Sequence, residues 1–161
     1  LSYVQILKSP LMMELKQIIE HSGISCSGII VELTESGYLE GTPAVRSVWN
    51  DMKKLRIQIA LDDFGTGYSN LMNISNLEPD IVKLDRGFTL KALSRSYEYQ
   101  LMQYVIEMVH KLNQYVCVEG VETKEDLEKI KALGPDLIQG YYYSKPCSRD
   151  EFLKKFFDYS E

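Results

Sequence analysis

Long apolar runs, paired cysteines, clustered histidines and excess positive charge are all missing from this 161-residue chain. Each absence removes a class of function. No apolar stretch approaches the roughly 20 residues needed to span a bilayer, and no basic segment followed by an apolar one marks a secretory signal. A membrane-inserting role for this chain is therefore not expected. Cytoplasmic placement is, although a parent protein could carry a membrane anchor elsewhere. Cys26, Cys117 and Cys147 are odd in number and far apart, with no CxxC pair and no zinc spacing, so they read as reduced thiols. His21 and His110 lie singly in predicted helices, distant in sequence from the acidic motifs. The formal net charge of −5 argues against a broad surface for DNA. It leaves room for a small phosphorylated ligand, because bound metal ions can supply local positive charge. No GxGxxG follows a strand, which speaks against a doubly wound nucleotide-binding fold.

What is present is a regular alternation of short β-branched runs and longer helical segments, enough for one domain with a substantial core. Helices are expected over Met12 to His21, Ala44 to Lys54, Tyr68 to Leu77, Tyr97 to Leu112, Lys124 to Leu133 and Ser148 to Tyr159. Strands are expected over Gly28 to Leu33, Ile57 to Leu61, Ile81 to Leu84, Tyr115 to Val118 and Leu137 to Ile138. Thr123 is the expected N-cap of one helix, and Ser148 with Glu151 forms a capping box for another. This rhythm is that of parallel βα units. The strands end, at their C-terminal edges, in a polar series: Glu32, Asp62 with Asp63, Lys83 with Asp85, Glu119, and Gln139. That placement points to a (β/α) barrel, whose chemistry sits at the C-terminal face.

Any one of these residues has an ordinary explanation. A carboxylate after a strand commonly caps the next helix, and Lys83 could be a buried ion-pair partner. As a set they demand more. Several carboxylates converging at one end of a barrel repel unless cations neutralise them, and one lysine is too little compensation. Oxygen donors without nearby histidine or cysteine favour Mg²⁺ or Mn²⁺ over zinc. Two such ions about 3.5–4 Å apart would suit displacement at a phosphodiester. Gly65 and Gly67 fit either a mobile loop over the site or a tight βα turn that needs glycine. Gly140 would allow a ligand to approach the backbone, while Tyr141 to Tyr143 fit packing or, in one case, stacking on a base. A Schiff-base role for Lys83, as in an aldolase-like barrel, would leave Asp62 and Asp63 without a purpose.

Five ordered segments carry a family signature: VELTES (31–36), DDFGTGYSNL (62–71), VKLDRGF (82–88), VEGVET (118–123) and QGYYYSKP (139–146). They closely resemble successive motifs of the EAL domain, the bacterial cyclic di-GMP phosphodiesterases. The resemblance implies a modified TIM barrel that hydrolyses cyclic di-GMP to linear pGpG with Mg²⁺ or Mn²⁺, in a two-metal site. By motif position it implies Glu32 and Asp62 as metal ligands and Asp63 as ligand of the second metal. It implies Lys83 at the attacking water or phosphate, with Asp85 as its acidic neighbour and further metal candidate. Glu119 matches the proposed general base or an added metal ligand. Glu35 matches the anchor of the DFGTGYS loop, and Gln139 the family's glutamine position.

The departures are also specific. The Glu-x-Leu motif of the first barrel strand is absent, as is the arginine that usually follows it. The asparagine ligand of the third strand would fall immediately before Leu1, which is not a methionine. Gly87 stands where serine is frequent. Residues 1–161 are thus read as the C-terminal two-thirds of a single EAL domain, a partial barrel lacking roughly the first three strands. Such a remnant is expected to be inactive alone, having lost two metal ligands. Its open sheet edges suggest a homodimer, or an upstream sensory or cyclase domain in the parent. The other reading is a non-catalytic cyclic di-GMP sensor or protein-interaction module of EAL type.

Overall fold

A computed structural model describes residues 11–34, 43–66, 74 and 77–157. Five strands alternate with helices: α1 (Leu11–Ser22), β1 (Ile30–Thr34), α2 (Pro43–Lys54), β2 (Gln58–Phe64), β3 (Ile81–Leu84), α3 (Arg86–Ser94), α4 (Ser96–Lys111), β4 (Tyr115–Glu119), α5 (Lys124–Lys131), β5 (Leu137–Gln139) and α6 (Arg149–Phe156). The strands form one parallel sheet in the order β1-β2-β3-β4-β5. Sequential order is that of a barrel wall. A doubly wound sheet would reverse direction at a switch point, and this one does not.

Side-chain alternation assigns the two faces of the sheet. Leu33, Ile59, Leu61, Val82, Leu84, Val116 and Val118 point outward into the main core. They pack there with helix residues at three- and four-residue spacing: Val45, Trp49 and Met52 of α2, Met102, Ile106 and Val109 of α4, and Leu127 and Ile130 of α5. Each such buried aliphatic side chain stabilises the fold by about 1.5–3 kcal/mol before entropy is counted. The opposite face carries a separate small cluster of Ala60, Ile81 and Cys117. Ile30, Tyr115 and Leu137, at alternate positions on that face, are exposed.

Two Pro-Asp dipeptides fix the beginnings of the strands. Asp80 Oδ2 accepts a 2.8 Å hydrogen bond from the Ile59 N–H, and Asp136 Oδ2 accepts one of 2.8 Å from the Val116 N–H. The same device thus latches the loops before β3 and β5 to the strand preceding each. Asp136 also pairs with His110 at 2.8 Å, which ties the end of α4 to this loop. Burial opposes the Asp136 charge, but these bonds prevail and hold its carboxyl below the usual range.

Apart from shifts of one or two residues at element ends, with Gly28 in a 3-10 turn before β1, the structure departs from the sequence-based expectations at three places. Strand β2 runs through Asp62 and Asp63 to Phe64 rather than stopping at Leu61. Helix α3 has no counterpart among the expected elements: Gly87 and Thr89 are weak helix formers, and burial of Phe88, Thr89 and Ala92 holds it instead. Helix α6 ends at Phe156, short of Tyr159. The helix expected over residues 68–77 lies outside the described residues except for Ile74 and Leu77, which are both buried. The expected capping box forms at Ser148 with Glu151, and the expected N-cap Thr123 forms one too, with Asp126.

Candidate active site

The inward-facing residues at the C-terminal ends of β1 to β4 meet around one ammonium. Lys83 Nζ lies 2.7 Å from Glu32 Oε1, 3.0 Å from Asp62 Oδ1 and 2.7 Å from Glu119 Oε1. Four strands therefore contribute one charged side chain each. The lysine side chain is only 8% exposed, Asp62 18% and Glu119 19%, whereas Glu32 at 48% forms the open rim. Burial by itself would drive the lysine toward its neutral form. The carboxylates of Glu119, Glu32 and Asp62 outweigh that and raise its pKa above the usual value. Directly below, opposite Lys83 in the ladder, burial pushes the Cys117 thiol up to about 11, against the opposing pull of the ammonium. Cys26, Cys117 and Cys147 are all free.

Regular alternation aims Asp62 at this cluster, and a β-bulge follows it. Leu61 pairs with Val82 and Phe64 with Leu84, so two residues of β2 stand opposite Lys83 alone. Leu61 and Phe64 both belong to the outer core, three positions apart, which strict alternation forbids. The extra residue is Asp63, held at φ 62°, a left-handed conformation that aspartate tolerates better than most side chains. The bulge reconciles a buried phenylalanine with an inward-facing aspartate one turn of the pleat earlier.

The remaining candidates are placed differently. Asp85 caps α3: its Oδ1 accepts from the Gly87 N–H at 2.7 Å. The ordinary role of a carboxylate after a strand is thus realised there, and Asp85 is not among the carboxylates on Lys83. Gly65 has φ 104°, and a Cβ on it would come within 2.9 Å of the Phe88 ring, so the turn requires glycine. At Gly140 the close approach is made by the chain itself, not left for a ligand. A Cβ there would overlap the Val121 backbone, which exchanges hydrogen bonds with this segment (Tyr142 N–H to Val121 O, 3.0 Å; Val121 N–H to Gln139 O, 3.3 Å). Gln139 pairs with Glu119 in the ladder at the mouth of the site. Glu35 and Gly67 lie outside the described residues.

One pair escaped the sequence reading. Arg86 donates through Nε and Nη2 to Glu122 Oε1, at 3.2 and 2.7 Å. Its side-chain stem covers Gly120, at φ 80°, where a Cβ would collide with it. Both partners sit inside quoted motifs, one position after Asp85 and three after Glu119. They line a cleft of about 390 Å³ beside the cluster, shared with Glu119, Gln139 and Tyr141.

The cluster's chemistry suits a hard divalent cation. Three carboxylates face one lysine, so these four side chains carry a formal net charge of −2. Asp62 Oδ1, though within ion-pair distance of the ammonium, is buried without an aligned hydrogen-bond partner. Among the described residues no three Asp, Glu, His or Cys side chains are spaced to hold a metal ion as they stand. Here the point shared by the carboxylates is filled by the Lys83 ammonium.

A parallel βα barrel wall with a lysine-bridged acidic cluster at its C-terminal edge defines a barrel protein of the kind whose chemistry sits at that face. Comparison with known proteins makes the assignment specific. Residues 1–146 match the family model of the EAL domain, and the chain belongs to that family. It is 31% identical to cyclic di-GMP phosphodiesterase PdeF of Escherichia coli over 146 residues, which cover 91% of this chain and 20% of that protein. The fold superposes on the EAL enzyme Bd1971 in its cAMP- and cyclic-di-GMP-bound form with a TM-score of 0.90 at 30% identity, covering 96% of this chain and 41% of the other. On the manganese and cyclic di-GMP complex of BlrP1 from Klebsiella pneumoniae the values are 0.84 and 26%, covering 91% and 38%. The chain spans about a fifth of the length of the curated relatives it matches. No helix among the described residues is long and apolar enough to cross a membrane.

Proposed function

We propose that residues 1–161 supply the metal-binding and catalytic carboxylates of a cytoplasmic EAL domain that hydrolyses cyclic di-GMP to linear pGpG. The observation that carries this reading is the convergence of Glu32, Asp62 and Glu119, from three different strands, on Lys83. Supporting it, a relative is named a cyclic di-GMP phosphodiesterase and a structural neighbour is a manganese and cyclic di-GMP complex.

In this reading Glu32, Asp62 and Asp63 hold Mg²⁺ or Mn²⁺ in a two-metal site, while Asp85, a metal candidate by motif, is engaged as the α3 cap. Such ions, when bound, supply positive charge to the phosphoryl oxygens as displacement proceeds. Glu119 takes the proton of the attacking water as that oxygen bonds to phosphorus. The bond to the 3′-oxygen breaks, and that oxygen is protonated from solvent. Lys83 donates hydrogen bonds to the phosphoryl group as its charge grows. Gln139 and Gly140 form the wall of the substrate cleft, and Glu35, Gly65 and Gly67 position the loop over it. The partner domains are sensory or cyclase modules, or a second copy of the same domain.

The test is chromatographic separation of cyclic di-GMP and pGpG after incubation with Mg²⁺ or Mn²⁺. The chain is assayed alone and within a polypeptide that supplies the other barrel strands. The expected result is pGpG from the completed barrel, none or nearly none from the 161-residue chain, and loss of product in Glu119→Gln. Binding of cyclic di-GMP by the completed barrel without any pGpG would replace this reading with the sensor one.

A further inference from the structure

We propose that Lys83 is the resident cation of the metal-free site: its ammonium holds Glu32, Asp62 and Glu119 together, and a divalent ion enters by displacing it. The inference rests on the metal-binding part of the function proposed above and adds a competition that the function does not require. Three observations carry it. The ammonium touches all three carboxylates at 2.7 to 3.0 Å, so it occupies the position their oxygens share. The side chain is 8% exposed, and the surrounding β3 residues are buried, so the stem is held and only its tip is placed to move. The ammonium brings one positive charge to three carboxylates, and Asp62 Oδ1, though 3.0 Å from it, has no aligned hydrogen-bond partner.

The arrangement works as a preorganising device. Without a cation, three carboxylates at this spacing would repel and splay apart. With Lys83 among them they keep their relative positions, and a doubly charged ion gains more from the same oxygens than a singly charged one. A displaced Lys83 then faces the cleft, where an anionic phosphoryl group is its natural partner. One side chain would thus serve as counter-ion before metal entry and as substrate contact after it.

The experiment compares Mn²⁺ binding by calorimetry in the wild-type chain, Lys83→Met and Lys53→Met. Lys53 carries the same charge but pairs with Glu78 at the surface, away from the cluster. Lys83→Met is expected to bind Mn²⁺ about tenfold or more tightly than wild type, with a larger Mn²⁺-induced rise in melting temperature, while Lys53→Met is unchanged. Equal or weaker binding by Lys83→Met overturns the proposal, as does absence of Mn²⁺ binding in every chain. A measurement on the wild type covers the case in which Lys83→Met does not fold. In a chain labelled with ¹⁵N-lysine, one ammonium resonance is expected to be protected from solvent exchange and to lose that protection on saturation with Mg²⁺. Protection that survives Mg²⁺ saturation refutes displacement. Tighter Mn²⁺ binding in Lys83→Met without cyclic di-GMP hydrolysis by the completed barrel would keep this inference and discard the proposed activity.

Discussion

Gly140→Ala tests how the β5 edge is built. The added methyl group would overlap the carbonyl oxygen and nitrogen of Val121. Backbone atoms cannot turn aside as a side chain can, so one of the two segments must shift. Overpacking of this kind costs about 1–3 kcal/mol. The shift also strains two hydrogen bonds, Tyr142 N–H to Val121 O and Val121 N–H to Gln139 O, each contributing about 1 kcal/mol. The expected loss is therefore about 2–5 kcal/mol. At about 2–4 °C per kcal/mol for a chain of this size, melting should fall by about 4–20 °C. Urea unfolding followed by far-ultraviolet circular dichroism gives the free energy. Gly28→Ala is the internal control, since a Cβ there meets only Ile24 Cγ2 at 3.8 Å, an ordinary contact. It should change stability by no more than about 0.5 kcal/mol. A Gly140→Ala chain as stable as the Gly28→Ala control would refute the reasoning.

Two further outcomes follow from side chains already placed. Asp136, whose folded pKa is depressed, contributes stability that is present above the ordinary carboxylate range and is lost as pH falls through the lowered value. Asp136→Asn should be less stable than wild type by about 1 kcal/mol at pH 6. Urea midpoints at pH 6 and near pH 3 should show that gap closing with acid, and a constant gap would mean the charge is not the cause. Asp85→Ala should cost about 1 kcal/mol by removing the α3 cap while leaving Mn²⁺ affinity unchanged; a large fall in Mn²⁺ affinity would instead make Asp85 a ligand.

Much of the fold could be read directly from residue pattern. Strand β3 falls where its four apolar-flanked residues predicted it, and Val45, Trp49 and Met52 line up on the buried stripe of α2 as their spacing required. The residues brought to Lys83 were also legible, because strand-end carboxylates in parallel βα units converge by geometry alone. What was hidden depends on contacts across the fold. Helix α3 forms around Gly87 because Phe88 and Ala92 find a core, which no local propensity records. The bulge at Asp62 and Asp63 was invisible because it is a mismatch between two strands, not a property of either. Asp85 looked like its acidic neighbours until the direction of its carboxylate separated a helix cap from a cluster member. Gly140 looked like room for a ligand, and the room is taken by Val121.

The extra residue in β2 gives the site a reading frame. Asp62 faces inward by regular alternation, and Phe64, two positions on, faces outward because Asp63 adds one residue opposite Lys83. Removing Asp63 would restore one-to-one pairing, with Asp62 still opposite Lys83 and Phe64 still opposite Leu84, and would take away only the local kink between them. Replacing Asp63 by alanine would keep the extra residue but remove its carboxylate and strain a left-handed backbone that aspartate tolerates better. Deletion and substitution at one position therefore interrogate different things, the number of residues opposite Lys83 in the first case and the side chain with its backbone in the second. A library that varies letters alone would never find out that this strand is also counted.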